Sequence, residues 1–238
     1  MHNQTALNAR VRNLVLTIIG ALVLGAATSA HAQGLQVGID FTSVIPQGEF
    51  KQNVNSNGFG VSGNFLVGLG RRPLLAGVEA GFATYGSEKR REALSGTIPD
   101  IAVDVETKNN IVLTHFLLRA QPRRGSVRPY LDGLVGFKYL FTDTKVRSNS
   151  RDEPIASTTN LSDVAFSYGV GGGVQTHLAG LGGGRELVLD TKARYLWGSD
   201  ARYLRKGSIQ REDGRVILDV LSSRTNVVTV QVGITFRF

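Results

Sequence analysis

The sequence predicts an all-β protein of eight antiparallel strands, and three observations support this prediction. Apolar and polar residues alternate along eight segments, which is the pattern of strands that have one apolar face. Glycine accounts for 29 of the 238 residues, which disfavours helices and favours strands joined by turns. The connections between the segments alternate between long and short.

The predicted strands are long. Most exceed ten residues, whereas the strands of soluble proteins usually have about 5 or 6. A tilted strand that crosses a lipid bilayer needs about 9 to 11 residues, so these lengths favour a membrane protein. In chain order the predicted strands are Leu35–Thr42, Gly58–Gly70, Leu74–Tyr85, Asn110–Ala120, Arg128–Phe141, Asp163–Leu178, Glu186–Trp197 and Thr225–Phe238.

The connections fall into two classes. Four are long and polar: Ser43–Asn57, Gly86–Asn109, Thr142–Ser162 and Gly198–Arg224. Three are short: Arg71–Pro73, Gln121–Val127 and Ala179–Arg185. Long extracellular loops and short periplasmic turns are typical of barrels in the outer membrane. An even number of strands then brings both ends of the barrel domain to the periplasmic side.

The last predicted strand shows how the two faces divide. Val230, Val232 and Ile234 share the apolar face, while Thr229 and Gln231 lie on the polar face. A soluble barrel turns such an apolar face inward and a membrane barrel turns it outward, so the alternation alone does not distinguish them. Aromatic residues near the strand ends favour the membrane, because interfacial girdles lie there. These residues are Tyr85, Tyr139, Phe141, Tyr195, Trp197, Phe236 and Phe238.

The first 32 residues have the features of an export signal. Arg10 and Arg12 precede the uncharged, largely apolar run Leu14–Ala27, and Ala30-His31-Ala32 supplies a cleavage site. The alternative is an uncleaved signal anchor, but the run is short for a membrane helix of about 20 residues. We therefore predict a cleaved signal peptide over residues 1–32. Residues 33–238 are predicted to form a closed antiparallel eight-stranded transmembrane β-barrel, an up-and-down meander in the cell outer membrane.

Composition and motifs exclude several functions. The net charge is +8, but the basic clusters lie in predicted turns and loops without interleaved aromatic residues, so no nucleic-acid partner is predicted. The absence of cysteine excludes thiolate chemistry and thiolate metal sites. Gly169–Gly173 lacks the lysine and the helix of a phosphate-binding loop. These glycines are expected to make room for larger side chains opposite them. No cofactor and no metal site is predicted.

Neither of two histidines has the neighbours of a catalytic base. His115 has Leu113 and Leu117 at the two positions that share its face, rather than a hydroxyl. His177 lies near a predicted turn without a neighbouring carboxylate. The protein is therefore predicted not to be an enzyme.

With its signal peptide, the chain resembles the eight-stranded outer-membrane β-barrel family, the OmpA/OmpX-like proteins with an outer membrane protein beta-barrel domain. The resemblance rests on the opening GIDFTSVIPQGEF, on Gly58-Phe59-Gly60 and on the terminal VQVGITFRF. It implies that the barrel-assembly machinery recognises the last strand through Phe238, Phe236 and Ile234. Full-length OmpA has a separate peptidoglycan-binding domain after the barrel, whereas this sequence stops at the last strand. Cell-wall anchoring is therefore not expected.

The polar faces together predict a charged interior. Eight strands enclose a lumen just wide enough for side chains to fill it. The residues predicted to face inward are Asp40, Glu79, His115, Arg119, Asp132, Lys138, Asp190, Lys192, Arg194 and Arg237. Because buried charges persist only when paired, we expect a salt-bridged plug. The alternative is a narrow water-filled path that weakly favours anions.

The predicted function is a non-enzymatic structural or surface-interaction role in outer-membrane lipid. Loops 86–109 and 198–224 are the predicted sites for an unknown extracellular ligand. The alternatives are a small porin-like channel for small solutes and a soluble periplasmic β-protein. Arg71-Arg72 and Arg123-Arg124 are predicted at the periplasmic rim, either in solvated turns or against anionic headgroups.

Overall fold

The computed structural model describes residues 34–70, 72–95, 98–148, 154–212 and 215–238. The predicted signal peptide and Arg71 lie outside the described residues. The elements are β1 Gln36–Pro46, α1 Gly48–Val54, β2 Gly58–Gly68, β3 Leu74–Ser95, β4 Ile98–Ala120, β5 Val127–Ser148, β6 Pro154–Gly182, β7 Arg185–Gly198, β8 Asp200–Tyr203, β9 Ile209–Glu212, β10 Arg215–Leu218, β11 Leu221–Arg224 and β12 Val227–Arg237. None of the helices in these ranges has the length and apolar character needed to cross a membrane.

Eight of the strands close into a barrel. β1 to β7 pair in sequence order, and β12 pairs with both β7 and β1. The closing pair aligns Gln36 with Arg237 at one end and Pro46 with Val227 at the other. Closure pairs the edges that an open sheet would leave exposed. The predicted eight-stranded antiparallel meander is confirmed.

Burial along the barrel strands alternates in the sense expected for lipid outside and polar groups inside. Ile39 and Phe41 are 59% and 57% exposed, whereas Asp40 between them is 2% exposed. The same pattern exposes Phe59, Val61, Phe82, Phe116, Leu131, Phe137, Phe166, Val170, Val232 and Phe236. The outer face is thus apolar, and much of the interior is polar.

Four strands continue well beyond their predicted ends. Gly86–Asn109 and Thr142–Ser162 were predicted as loops, and this prediction is wrong for most of both segments. β3 and β4 pair as far as Ser95 with Ile98, and β5 and β6 pair as far as Arg147 with Pro154. A hairpin surrounded by water needs no apolar outer face, so its polar composition resembles that of a loop.

The two ends of the barrel differ. The "turn end" carries the short connections 69–73, 121–126 and 183–184, together with Leu35 and Phe238, which are joined by a 2.9 Å hydrogen bond from the Phe238 N–H to the Leu35 carbonyl. Gly183 and Gly184 have φ angles of +62° and +78°, as the tight two-residue turn between β6 and β7 requires. The "loop end" carries α1, the hairpin extensions of β3–β6, and the short strand pairs β8–β11 and β9–β10.

Candidate functional site: the filled interior of the barrel

The structure places the ten residues predicted to face inward on the interior side of the strands. Nine of them are at most 7% exposed, and the Arg237 side chain is 14% exposed at the turn end. Seven form one connected ionic network: Asp40, Glu79, Arg119, Asp132, Asp190, Lys192 and Arg194. His115, Lys138 and Arg237 lie apart from that network.

Arg194 of β7 is the centre of this ionic network. Its Nη2 lies 2.7 Å from Asp132 Oδ2, and its Nη1 lies 2.5 Å from Glu79 Oε1. Its Nη1 also donates a 3.1 Å hydrogen bond to Gln231 Oε1. The guanidinium thereby ties β7 to β5, β3 and β12. Because each bond is charge-assisted or buried, these contacts are among the stronger polar interactions that a lumen can hold.

Two further cations complete the network. Arg119 binds Asp132 through two parallel hydrogen bonds of 2.8 and 3.0 Å, and its guanidinium lies 3.6 Å from the centre of the Tyr130 ring. Lys192 lies 2.7 Å from Asp40 and 3.7 Å from Asp190. Four carboxylates thus share three cations, so each carboxylate is held within reach of positive charge.

Glycines of β6 make this crowding sterically feasible. A Cβ added to Gly171 would lie 2.3 Å from Cγ of Arg194, and one added to Gly173 would lie 2.5 Å from the Tyr130 hydroxyl. Since real Cβ atoms do not approach so closely, these positions leave the space that the larger side chains occupy. This is the role that the sequence predicted for the glycine run.

Lys138 is satisfied without a carboxylate. Its ammonium donates hydrogen bonds of 3.0 and 2.6 Å to the carbonyls of Leu196 and Thr225. The sequence predicts an inward-facing Lys138 but not its partners, because backbone carbonyls at the loop end have no sequence signature.

His115 does have a hydroxyl neighbour, contrary to the sequence-based expectation. Its Nε2 lies 2.9 Å from Ser167 Oγ, which reaches it from β6 across the barrel. Ser167 also donates a 3.1 Å hydrogen bond to the carbonyl of Trp197. A hydroxyl has one proton, so His115 then donates to Ser167 rather than accepting from it. The pair satisfies two buried polar groups and does not form a base that activates the serine.

A ring of three glutamine amides closes the lumen on the turn-end side. Gln36 donates to Gln121 at 2.9 Å, Gln121 to Gln175 at 2.9 Å, and Gln175 back to Gln36 at 3.1 Å. The ring was not predicted from the sequence. Strand parity places Gln36 and Gln175 inside, but Gln121 lay in a predicted turn.

An apolar layer fills the loop-end side. Phe50 of α1 is 0% exposed and packs edge-on against Tyr85 and Tyr203, with ring centroids 5.6 and 4.8 Å apart. Asn53 donates a 2.8 Å hydrogen bond to the Tyr203 hydroxyl. Tyr85 therefore lies inside the barrel, and its predicted place in the outer girdle is wrong. Tyr85 and the inward-facing Glu79 are an even number of positions apart on β3, so they share a face. The alternation in the sequence was therefore sufficient to predict that Tyr85 points inward.

The remaining aromatic residues at the loop end do lie on the outside. Two connected chains of rings run across the outer face, with neighbouring centroids between 4.8 and 6.4 Å apart. One is Phe82–Phe141–Tyr139, and the other is Phe137–Phe166–Tyr168–Trp197–Tyr195. On the turn-end side, Ile234, Phe236 and Phe238 of the closing strand are exposed.

Comparisons with known proteins find similarity in fold alone. Neither a protein-family model nor a curated protein matches the chain. Neisserial surface protein A is 12% identical, and the match covers 86% of this chain and 94% of that chain with a TM-score of 0.38. Ail of Yersinia pestis, solved with the heparin analogue sucrose octasulfate, is 18% identical, with 86% and 97% covered and a TM-score of 0.35. A major outer membrane protein from Thermus thermophilus is 14% identical, with 85% and 99% covered and a TM-score of 0.40.

The architecture itself defines the class of this protein. A closed ring of eight antiparallel strands, apolar on the outside and charged on the inside, is a β-barrel of the outer-membrane type.

Proposed function

We propose that this protein is a non-enzymatic outer-membrane barrel with a closed interior, which holds a rigid surface for interactions outside the cell. The observation that carries the proposal is the inverted burial of neighbouring residues. Leu131 is 71% exposed on the outer face, and the adjacent Asp132 is 3% exposed inside. Apolar patches on soluble proteins rarely exceed a few hundred Å², whereas a continuous apolar belt is stable in lipid.

The barrel would lie in the membrane with its turn end toward the periplasm. Short turns on the periplasmic side and long extensions outside are usual for such barrels. The export signal predicted in residues 1–32 supports the same location. In this orientation the aromatic chains near the loop end lie at the outer interface, where amphipathic rings are favoured.

The filled lumen supports a structural role rather than transport. Three layers fill the lumen from the loop end to the turn end: the apolar layer around Phe50, the ionic network around Arg194 and the glutamine ring. Each layer joins side chains from several strands. A path for solutes would require all three layers to open together.

The extensions at the loop end support a surface-interaction role. β4 pairs with β5 as far as Val103 with Ser148, so β3 to β6 continue as one sheet beyond the apolar belt. Segments 86–109 and 198–224 meet there, because the Gly207 N–H donates a 2.8 Å hydrogen bond to Glu88 Oε2. Binding commonly resides on loops that a rigid scaffold holds in place. We place the extracellular ligand on this joined surface.

The closing strand is the proposed contact for the barrel-assembly machinery. Ile234, Phe236 and Phe238 form one exposed apolar row on β12 and the residue after it. In the finished barrel this row faces lipid. Before the barrel closes, the same side chains are accessible to the assembly machinery.

Fractionation and conductance test this proposal. We expect the protein in the outer-membrane fraction, with a folded form that migrates faster on a gel before heating. Recovery in the soluble periplasm without detergent would contradict the membrane location. In planar bilayers the purified protein should show no steady conductance steps, and reproducible steps would identify a small channel instead.

A further inference from the structure

The two ends of the barrel differ sharply in charge. The three short connections predicted from the sequence, Arg71–Pro73, Gln121–Val127 and Ala179–Arg185, together contain five arginines, no lysine and no acidic residue. The four long connections predicted from the sequence contain 14 basic and 13 acidic residues. The excess of positive charge is therefore concentrated at the turn end.

The four described arginines of the turn end are exposed, and two of them have free donors. Arg72, Arg123, Arg124 and Arg185 are all exposed to solvent. Arg123 donates a 2.7 Å hydrogen bond to the carbonyl of Gly70, which ties the first turn to the second. Within the described ranges, neither Arg72 nor Arg124 forms a hydrogen bond or an ion pair. Their guanidinium groups are available to an anion.

The mouth of the lumen at this end adds further positive charge. Arg128 lies 2.5 Å and Arg237 lies 3.3 Å from the same carboxylate, that of Glu186. Two arginines thus share one acidic side chain. The Nε of Arg128 is buried and has no hydrogen-bond partner among the described residues.

Apolar side chains surround these charges and indicate what kind of anion fits. Leu69, Val127, Leu178 and Leu181 are between 43% and 60% exposed beside the three turns. Arginines next to exposed leucines suit a membrane interface, where the apolar groups contact acyl chains and the guanidinium contacts the headgroup. A free anion would gain nothing from the leucines.

We propose that the turn end binds the phosphate of anionic phospholipid headgroups in the periplasm-facing leaflet. A guanidinium can bind a phosphate through two parallel hydrogen bonds, which lysine cannot do. Basic residues near an anionic membrane surface are attracted to it individually, so several exposed arginines act together. The proposal rests on the membrane location argued above.

The experiment measures heat stability in two kinds of vesicle. The full chain is inserted into vesicles of phosphatidylcholine alone or of phosphatidylcholine with phosphatidylglycerol, and the temperature at which the folded gel band disappears is recorded. We expect phosphatidylglycerol to raise this temperature, because a ligand that binds the folded state stabilises it. High salt should remove the increase.

Matched variants locate the effect. The triple variant Arg72→Gln, Arg124→Gln and Arg185→Gln should lose most of the increase. The control variant Arg202→Gln, Arg205→Gln and Arg224→Gln removes three exposed arginines from the loop end and should keep it. Equal losses in both variants, or no increase in the unmodified protein, would overturn the proposal.

Other outcomes separate the possible sources of the anion. If inorganic phosphate with phosphatidylcholine vesicles gives the same increase, the rim binds free phosphate and the lipid assignment is wrong. If an acidic peptide such as polyglutamate gives it and phosphatidylglycerol does not, the partner is a protein. If no folded band forms in either vesicle, the membrane location itself fails, whereas equal stability in both vesicles overturns the lipid proposal alone.

Discussion

At the scale of single residues, the charged side chains of the interior stabilise the barrel only as a group. Arg194 serves Glu79 and Asp132 at once, and Asp132 is held from its other side by Arg119. Replacing a whole buried ion pair by apolar groups is often tolerated, but removing one partner leaves a charge buried without compensation. Substitution of a residue that binds two partners, such as Arg194 or Asp132, should therefore destabilise the network most.

The substitution Arg194→Met tests this sensitivity. It leaves Glu79 with Gln231 and a lysine 3.9 Å away, and should lower the free energy of unfolding by about 3 to 5 kcal/mol. Urea titration of the protein in vesicles measures the change.

The control for this substitution is Arg202→Met. The Arg202 side chain is 64% exposed and lies 3.5 Å from Asp163. Exposed ion pairs contribute about 0 to 1 kcal/mol, so the control should change stability little. Equal effects at both positions would contradict the account of the interior.

At the scale of elements, strand parity predicts more than composition does. The alternation predicts an inward face for Asp40, Lys192 and the other charged residues, and it also predicts an inward face for Tyr85. Polar composition led to a wrong prediction of loops where the strands extend beyond the apolar belt, because a hairpin with water on both faces has the polar residues of a loop. It failed again for α1, since seven residues are too few to show a helical period.

The helix α1 provides a second prediction. Phe50→Ala removes the ring that packs between Tyr85 and Tyr203, and the cavity should cost about 3 to 5 kcal/mol of local stability. Hydrogen exchange should become faster in α1 and in β8 and β11, while the barrel strands stay protected. Lys51→Ala, at an exposed position of the same helix, is the control. Unchanged exchange in the Phe50 variant would show that α1 does not close the lumen.

The closing strand provides a third prediction. Phe238→Gln should reduce the amount of assembled barrel in cells several-fold, while the purified variant should still refold in detergent. Phe238→Trp keeps an aromatic group and should assemble normally. A loss of refolding in detergent equal to the loss in cells would assign Phe238 to stability instead of recognition.

At the scale of the whole molecule, two opposite environments are separated by one layer of backbone. Lipid is proposed on the outside, where the aromatic chains and leucines lie, and the ionic network and glutamine ring lie on the inside. Sequence alternation predicted this separation, but it could not predict which interior residues meet. Ser167 of β6 and Gln121, in the connection after β4, are distant in sequence from their partners, and only the closed ring brings them into contact with His115 and Gln175.

The central claim is that the outer face contacts lipid, and the chain contains one tryptophan that reports on it directly. Trp197 lies on the outer face beside Tyr168 and Tyr195 at the loop end of the belt. In vesicles, its fluorescence should be quenched by lipids brominated near the headgroup more than by lipids brominated deep in the acyl chain, and only weakly by iodide in the water. Strong quenching by iodide with no effect of either brominated lipid would contradict the claim.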